Sequence, residues 1–156
     1  MRDTLFIEIE KQLKKNKDLC ILTADLGYGI FENIEKKYPK QFLNVGVAEQ
    51  NLIGVGAGLA SEGKTVIVYS IANFPILRCL EQIRNDAAYH KVNMIIISCG
   101  AGFTYGQLGV SHHLTEDISI MNSIPNIEER MQEVFRLIRE TYDGLSCKKF
   151  IHATPT

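Results

Sequence analysis

One carboxylate in this sequence stands where a short apolar segment gives way to a run of small residues. It belongs to Glu49, which follows the stretch Asn-Val-Gly-Val-Ala at 44–48 and precedes a segment rich in glycine and alanine. A carboxyl group between a strand and a helix can donate or accept a proton in a reaction. It can equally be an ordinary first-turn acid that the helix dipole stabilises. Position alone leaves both interpretations open.

A histidine pair is the second candidate for chemistry. His112 and His113 follow the loop 99–109, which contains four glycines. Two adjacent imidazoles could ligate a metal, but no third His, Cys or acidic ligand stands nearby at metal-binding spacing. An exposed pair without function is the plainer alternative. The sequence therefore argues against a metal centre here.

Three further side chains could contact a ligand. Phe74 could stack on a ring, although a lone aromatic residue at a helix start usually belongs to the packing. Arg78 could stack on a ring, reach a phosphate or lie on a helix surface. Asp25 follows a predicted strand, where an acid is also an ordinary turn former.

Two other patterns carry no chemistry of their own. The Gly-Val-Gly-Ala-Gly run at 54–58 falls inside a predicted helix, so it cannot present backbone N–H groups to a pyrophosphate as a dinucleotide fingerprint does. We expect it to be a packing face. Cys99 has no base placed beside it by any motif, and the four cysteines form no Cys-x-x-Cys pair. This pattern argues against a structural zinc site and a thioredoxin-like redox motif, and a reducing cytoplasm is the expected compartment.

The candidates lie between elements that alternate along the chain. Short apolar runs at 19–24, 42–45, 65–70 and 93–98 predict buried strands, and 150–153 is also strand-like. Helical patterns fall between and beyond them, at 49–62, 74–89, 116–122 and 127–141, after a first helix with apolar residues Phe6, Ile9 and Leu13. The alternation predicts a doubly wound, mainly parallel α/β sheet of five or six strands with helices on both faces.

Length and charge limit the classes of partner. The 156 residues suffice for one domain with a packed core, and 17 basic against 18 acidic residues leave a net charge of -1. No strong one-signed field exists to attract nucleic acid or an anionic membrane surface. Residues 1–17 alternate charged and apolar types and contain no continuous apolar stretch. We therefore expect a cytoplasmic protein that binds neither nucleic acid nor membrane.

Four segments resemble one enzyme family in the same order. The segment 44–60, NVGVAEQNLIGVGAGLA, strongly resembles the signature of the transketolase and deoxyxylulose phosphate synthase superfamily in its pyrimidine-binding domain. Further resemblances are found at 23–26 (TADL), 81–86 (EQIRND) and 109–113 (GVSHH), the last followed by 116–118 and 124–126. The resemblance implies the thiamine diphosphate pyrimidine-binding fold, as a single domain over residues 1–156.

The resemblance also implies roles for the candidate residues. Glu49 is implied to be the acid that hydrogen-bonds N1′ of the aminopyrimidine of thiamine diphosphate, where a donated proton favours loss of the proton from C2. His112 is implied to be the active-site histidine that contacts substrate hydroxyls and moves protons, with His113 as a further substrate contact. The other implied cofactor-binding residues are Phe74, Asp25 and Arg78.

By the same resemblance, half of the cofactor site should come from elsewhere. Relatives hold the diphosphate through Mg²⁺ bound by a Gly-Asp-Gly motif, which these 156 residues do not contain, and they continue into a further C-terminal domain. The expected function is a share in transfer of two-carbon ketol units between sugar phosphates, in an oligomer with a diphosphate-binding partner subunit. There are two alternatives: a component of a 2-oxoacid decarboxylase or dehydrogenase, and a non-catalytic assembly module with this fold.

Overall fold

The computed structural model describes residues 2–71, 73–129 and 149–153, and its centre is a six-stranded sheet. The strands lie in the order β2-β1-β3-β4-β6-β5. Their bounds are β1 Leu19–Thr23, β2 Phe42–Asn44, β3 Thr65–Ile71, β4 Met94–Cys99, β5 Ile127–Glu129 and β6 Lys149–Ala153. The first four strands pair in parallel, whereas β6 is antiparallel to both β4 and β5. The sheet is therefore mainly parallel, as the sequence predicts.

Helices cover both faces of the sheet. They are α1 Arg2–Lys15, α2 Phe31–Lys37, α3 Glu49–Ser61, the single turn α4 Leu80–Gln82, a π-helix at Ile83–Ala88 that continues it, and α5 Asp117–Asn122. Two 3₁₀ turns, Gly106–Leu108 and Val110–His112, lie in the loop after β4. The doubly wound α/β fold is thereby confirmed.

Alternating side chains of the central strands divide the core into two layers. Ile21, Ile67 and Tyr69 point to the layer that contains α1 and α2, together with Phe6 and Leu13. The opposite layer holds the side chains of α3 and the π-helix; its strand members are Cys20, Leu22, Val66, Val68, Met94 and Ile96. Strands buried on both faces are mostly apolar, which is why they appear as near-continuous runs in the sequence; the buried polar residues Thr23, Ser70 and Ser98 lie near the strand ends.

The glycines of α3 do not form a continuous packing face. A Cβ at Gly56 would lie 3.1 Å from both Met94 Sδ and Val68 Cγ1, so this glycine lets the helix approach the side chains of β3 and β4. Gly54 and Gly58 have no atom within 4 Å of such a Cβ. Of the three glycines at 54, 56 and 58, only Gly56 is needed for the close approach of α3 to the sheet.

The predicted helix at 74–89 is wrong in its first half. Consecutive turns follow β3, with hydrogen bonds from Ile76 N to Asn73 O (3.1 Å) and from Cys79 N to Ile76 O (3.3 Å), and helix begins only at Leu80. The Cys79 thiol donates to the Phe74 carbonyl at 3.3 Å. Because a side chain satisfies this carbonyl, the segment need not continue as a helix.

The predicted helix at 127–141 is also wrong over residues 127–129, the part that the structure describes. Ile127–Glu129 is a strand whose partner, β6, lies far along the sequence. Asn126 precedes it in the left-handed region, with φ of 67°. Residues 130–141 lie outside the described part of the chain. Long-range pairing with β6 has overridden the local preference. None of the described helices combines the length and apolar character needed to cross a membrane.

Candidate active site

Four loops bring the candidate residues to one edge of the sheet. Each loop follows the carboxyl end of one of the four parallel strands, and β1 and β3 are neighbours although their connections run to opposite sides. Such a switch point opens a crevice at the carboxyl ends of the strands, where open α/β sheets bind ligands. Asp25 follows β1, Glu49 follows β2, Phe74 and Arg78 follow β3, and His112 follows β4.

Glu49 is the first residue of α3 and is buried, with 3% of its side chain exposed. Its Oε2 accepts a hydrogen bond of 2.6 Å from Nη1 of Arg78, whose own side chain is 47% exposed. The helix N-terminus also favours a negative charge here. An ion pair and a helix dipole together compensate for the cost of burying this carboxylate.

Arg78 also contacts an aromatic ring. Its Cζ lies 4.5 Å from the centroid of the Phe74 ring, and its backbone carbonyl accepts a hydrogen bond from Gln50 Nε2 at 3.2 Å. The turns at 73–79 bring the Arg78 guanidinium over the Phe74 ring. Burial raises the pKa of the neighbouring Cys79 thiol to about 12, with the Glu49 charge as a lesser cause. That thiol is therefore a structural hydrogen-bond donor and a poor nucleophile.

The ring of His112 extends this group of side chains. It packs edge to face on Phe74, with 5.1 Å between the centroids, and on Tyr105 at 6.3 Å. Its Nδ1 lies 3.0 Å from Ser111 Oγ. A ring held at one nitrogen can present the other to a ligand. Glu49, Arg78, Phe74 and His112 thus form one chain of contacts.

A short antiparallel bridge closes the loop that carries His112. Gly102 N donates to Leu114 O at 2.6 Å, and Leu114 N donates to Gly102 O at 3.0 Å. His113 turns away from Phe74, because its ring packs on Phe103 at 4.9 Å and its Nε2 donates to the Gly106 carbonyl at 3.3 Å. The two histidines therefore have different neighbours.

Asp25 lies at the same edge of the sheet but in a separate cavity. Its backbone is in the left-handed region, with φ of 54°. Asn44 holds it there, since Asn44 Oδ1 accepts from Asp25 N at 2.9 Å and Asn44 Nδ2 donates to Asp25 Oδ1 at 3.3 Å. The cavity, of about 120 Å³, is also lined by Tyr28, Glu32 and Glu35. The contacts described above do not join Asp25 to the group around Glu49.

Sequence reasoning missed several residues that position the site. They are Asn44, Gln50, Tyr105 and Ser111. Asn44, Gln50 and Ser111 stand within segments that resemble the family, which was the available signal, whereas the position of Tyr105 depends on tertiary packing. Within the described residues, no three His, Cys, Asp or Glu side chains are grouped as a metal site requires.

Comparison with known proteins identifies the family. Residues 1–139 match the family model described as the transketolase pyrimidine binding domain. Because that match spans most of the chain, the protein belongs to this family. Its fold and motifs define a transketolase-like pyrimidine-binding domain, and membership implies dependence on thiamine diphosphate.

Individual relatives agree with this assignment. One relative is a Methanocaldococcus jannaschii protein that is provisionally named a transketolase C-terminal section. It is 47% identical over 115 residues, which cover 73% of this chain and 36% of that protein. An apulose-4-phosphate transketolase subunit of Phocaeicola vulgatus is 38% identical over 126 residues, covering 80% of this chain and 39% of that subunit.

A solved structure of a split gene transketolase, an inactive beta4 tetramer, superposes with a TM-score of 0.70 at 35% identity, covering 80% of this chain and 40% of that one. The chain thus spans about two-fifths or less of the length of each of the three.

Proposed function

We propose that this chain is the pyrimidine-domain subunit, or a part of it, of a split transketolase-like enzyme that transfers two-carbon ketol units between sugar phosphates. The proposal treats residues 1–156 as a single pyrimidine-binding domain. The observation that carries it is the buried Glu49 carboxylate at the carboxyl edge of the sheet, paired with the Arg78 guanidinium, which in turn lies over the Phe74 ring. The relatives that are named as transketolase subunits support it.

The residues around Glu49 fit an aminopyrimidine ring. The carboxylate already accepts one N–H donor, and the half-buried Phe74 ring lies within reach of the same donor group. Asn73 Oδ1, next to Phe74 in the chain, is buried without a hydrogen-bond partner in the described part of the chain. The amino group of such a ring would supply an N–H donor of the kind Asn73 Oδ1 lacks, and a ring nitrogen would share a proton with the Glu49 carboxyl group. When bound, thiamine diphosphate supplies a carbanion equivalent for carbon–carbon bond chemistry.

Within this proposal, Glu49 holds the proton shared with the pyrimidine nitrogen. Burial suits that role, because water cannot compete for the carboxyl group in an enclosed site. Phe74 orients the ring by stacking, and Arg78 belongs to the same cofactor site through its contacts with both residues.

His112 is proposed to bind substrate hydroxyls and to move protons at the reacting carbonyl. Its ring packs on Phe74, so it lies next to the proposed pyrimidine site, and its contact with Ser111 fixes its orientation. His113 is proposed as a weaker substrate contact because it faces Phe103 instead. Asp25 is proposed to approach the cofactor from the β1 side of the crevice.

The diphosphate and Mg²⁺ are proposed to bind mainly to a partner subunit that carries the Gly-Asp-Gly motif absent from these 156 residues. The catalytic assembly would be an oligomer of both chains. The beta4 tetramer of the solved split gene transketolase supports self-association as well.

Co-expression with a transketolase-like subunit that carries a Gly-Asp-Gly motif tests the proposal. We expect the two chains to co-purify and to transfer ketol units from at least one member of a panel of sugar phosphates. The lone chain should bind thiamine diphosphate poorly, since it lacks the diphosphate anchor.

Failure of the two chains to associate, together with low-micromolar cofactor binding by the lone chain, would contradict the proposed division of the site. Decarboxylation of a 2-oxoacid without ketol transfer would favour the decarboxylase alternative. Association without either activity would favour an assembly module.

A further inference from the structure

We infer that Arg78 is a placeholder for the aminopyrimidine ring: its guanidinium pairs with Glu49 and stacks on Phe74 until the ring binds, and then leaves both. This inference rests on the proposed function. It differs from a role of Arg78 as a permanent cofactor ligand, because a placeholder competes with the ring that it precedes.

One guanidinium group contacts both proposed pyrimidine partners. Nη1 of Arg78 lies 2.6 Å from Oε2 of Glu49, and Cζ lies 4.5 Å from the Phe74 ring centroid. Guanidinium is planar, donates N–H hydrogen bonds and stacks on aromatic faces. An aminopyrimidine that pairs with Glu49 and stacks on Phe74 uses the same carboxylate and the same ring. The two groups therefore compete for the same carboxyl group and the same ring face, with one difference: the guanidinium is a cation that donates to the carboxylate, whereas the neutral aminopyrimidine pairs through a proton taken up between its N1′ and Glu49.

The difference in burial explains why a placeholder is useful. Glu49 is 3% exposed, so its charge would be strongly destabilising without a partner. Arg78 is 47% exposed and can move into solvent. The chain thus has a cation that keeps the buried carboxylate paired before the ring arrives.

The backbone of Arg78 stays fixed while its side chain is free to exchange. Its carbonyl is held by Gln50 Nε2 at 3.2 Å, and the preceding turn is tied by the hydrogen bond from the Cys79 thiol to Phe74 O. Exchange therefore requires rotation of one long side chain and no movement of the turn. A competitor that must first be displaced lowers the apparent affinity for the ring.

The test is a titration of the purified chain with 4-amino-5-hydroxymethyl-2-methylpyrimidine, which lacks the diphosphate, followed by NMR and thermal unfolding. Arg78→Met should unfold at a lower temperature than the wild type without the probe. It should nevertheless bind the probe about threefold to tenfold more tightly, with a larger rise in melting temperature. Arg84→Met is the matched control, since Arg84 is also exposed and bonds Asn85 instead of Glu49. It should bind as the wild type does.

Wild-type protein with ¹⁵N-labelled arginine provides a second measurement that does not depend on the folding of a variant. The side-chain signal of Arg78, assigned by its loss in Arg78→Lys, should shift toward that of free arginine as the probe binds. A signal that stays at its starting position while the probe saturates would overturn the inference.

Two results of the titration separate this inference from the proposed function. If Arg78→Met and Glu49→Gln both weaken binding, the pyrimidine site is correct and Arg78 is a ligand, so the placeholder role is wrong. If Glu49→Gln binds the probe as tightly as the wild type does, the pyrimidine site itself is wrong and the inference fails with it.

Discussion

Oε2 of Glu49 and Nη1 of Arg78 lie 2.6 Å apart, yet only the carboxylate is buried. An ion pair in which one partner is enclosed and the other reaches solvent is open to exchange from the solvent side. Phe74 packs on Arg78 and His112 packs on Phe74, so an aromatic ring and an imidazole lie next to the pair.

His112→Asn should lower ketol transfer by the reconstituted complex about a hundredfold, the scale of a positioned proton-transfer group. The melting temperature should change little, because His112 lies in a surface loop. His90→Asn is the control: His90 is exposed, packs on Tyr89 and precedes β4 at the opposite edge of the sheet. Steady-state kinetics of both variants provide the measurement. If both variants lose the same fraction of ketol-transfer activity, His112 has no specific role in the reaction.

Two glycines of α3 offer a matched pair of stability variants. Gly58→Ala should raise the free energy of unfolding by about 0.5–1 kcal/mol, because alanine favours helix and the site is open. Gly56→Ala gains the same propensity but places a methyl group 3.1 Å from Val68 and Met94, so it should be less stable than Gly58→Ala. Urea unfolding measures the stability of both variants. If Gly56→Ala is as stable as Gly58→Ala, the side chains of Val68 and Met94 must shift to make room for the methyl group.

Cys79 should make stability depend on pH in the alkaline range. Its pKa rises from 9.0 to about 12 on folding, mainly through burial. Between these values the unfolded chain loses the thiol proton and the folded chain keeps it, so stability is complete below pH 9 and falls as pH rises. Between these two pH values, this thiol lowers the free energy of unfolding by at most about 1.4 kcal/mol per pH unit.

Comparison with Cys79→Ala isolates this contribution from that of other groups that titrate in the same range. Urea unfolding at pH 8 and pH 10 should show a steeper loss of stability in the wild type than in the variant. Parallel losses in the two proteins would mean that the folded state tolerates the thiolate.

The sequence pattern predicted the sheet well, because β1, β3 and β4 are buried on both faces and are mostly apolar. It failed where distant contacts decide the local structure. Ile127–Glu129 has a helical pattern but pairs with β6. The turns after β3 depend on hydrogen bonds from the Cys79 thiol and the Gln50 side chain, which no local pattern indicates.

The site was predictable only in part. Glu49 and His112 stand within segments that resemble a known family, and the structure places them in one chain of contacts. The pairing of Arg78 with Glu49 joins residues 29 positions apart, so it could not be read from spacing. The difference between His112 and His113 depends on which aromatic ring each one meets.

The rate at which the bound cofactor exchanges its C2 proton shows whether Glu49 is the acid that activates it. Glu49→Gln should keep the fold and much of the cofactor affinity in the reconstituted complex. Glu32→Gln is the control, because Glu32 is also a first-turn acid but lies in α2. If both acids only stabilised helix ends, each change would cost at most about 1 kcal/mol and leave the exchange rate untouched. We predict an exchange rate about a hundredfold or more lower in Glu49→Gln and unchanged in Glu32→Gln; an unchanged rate in Glu49→Gln would contradict the catalytic role of Glu49.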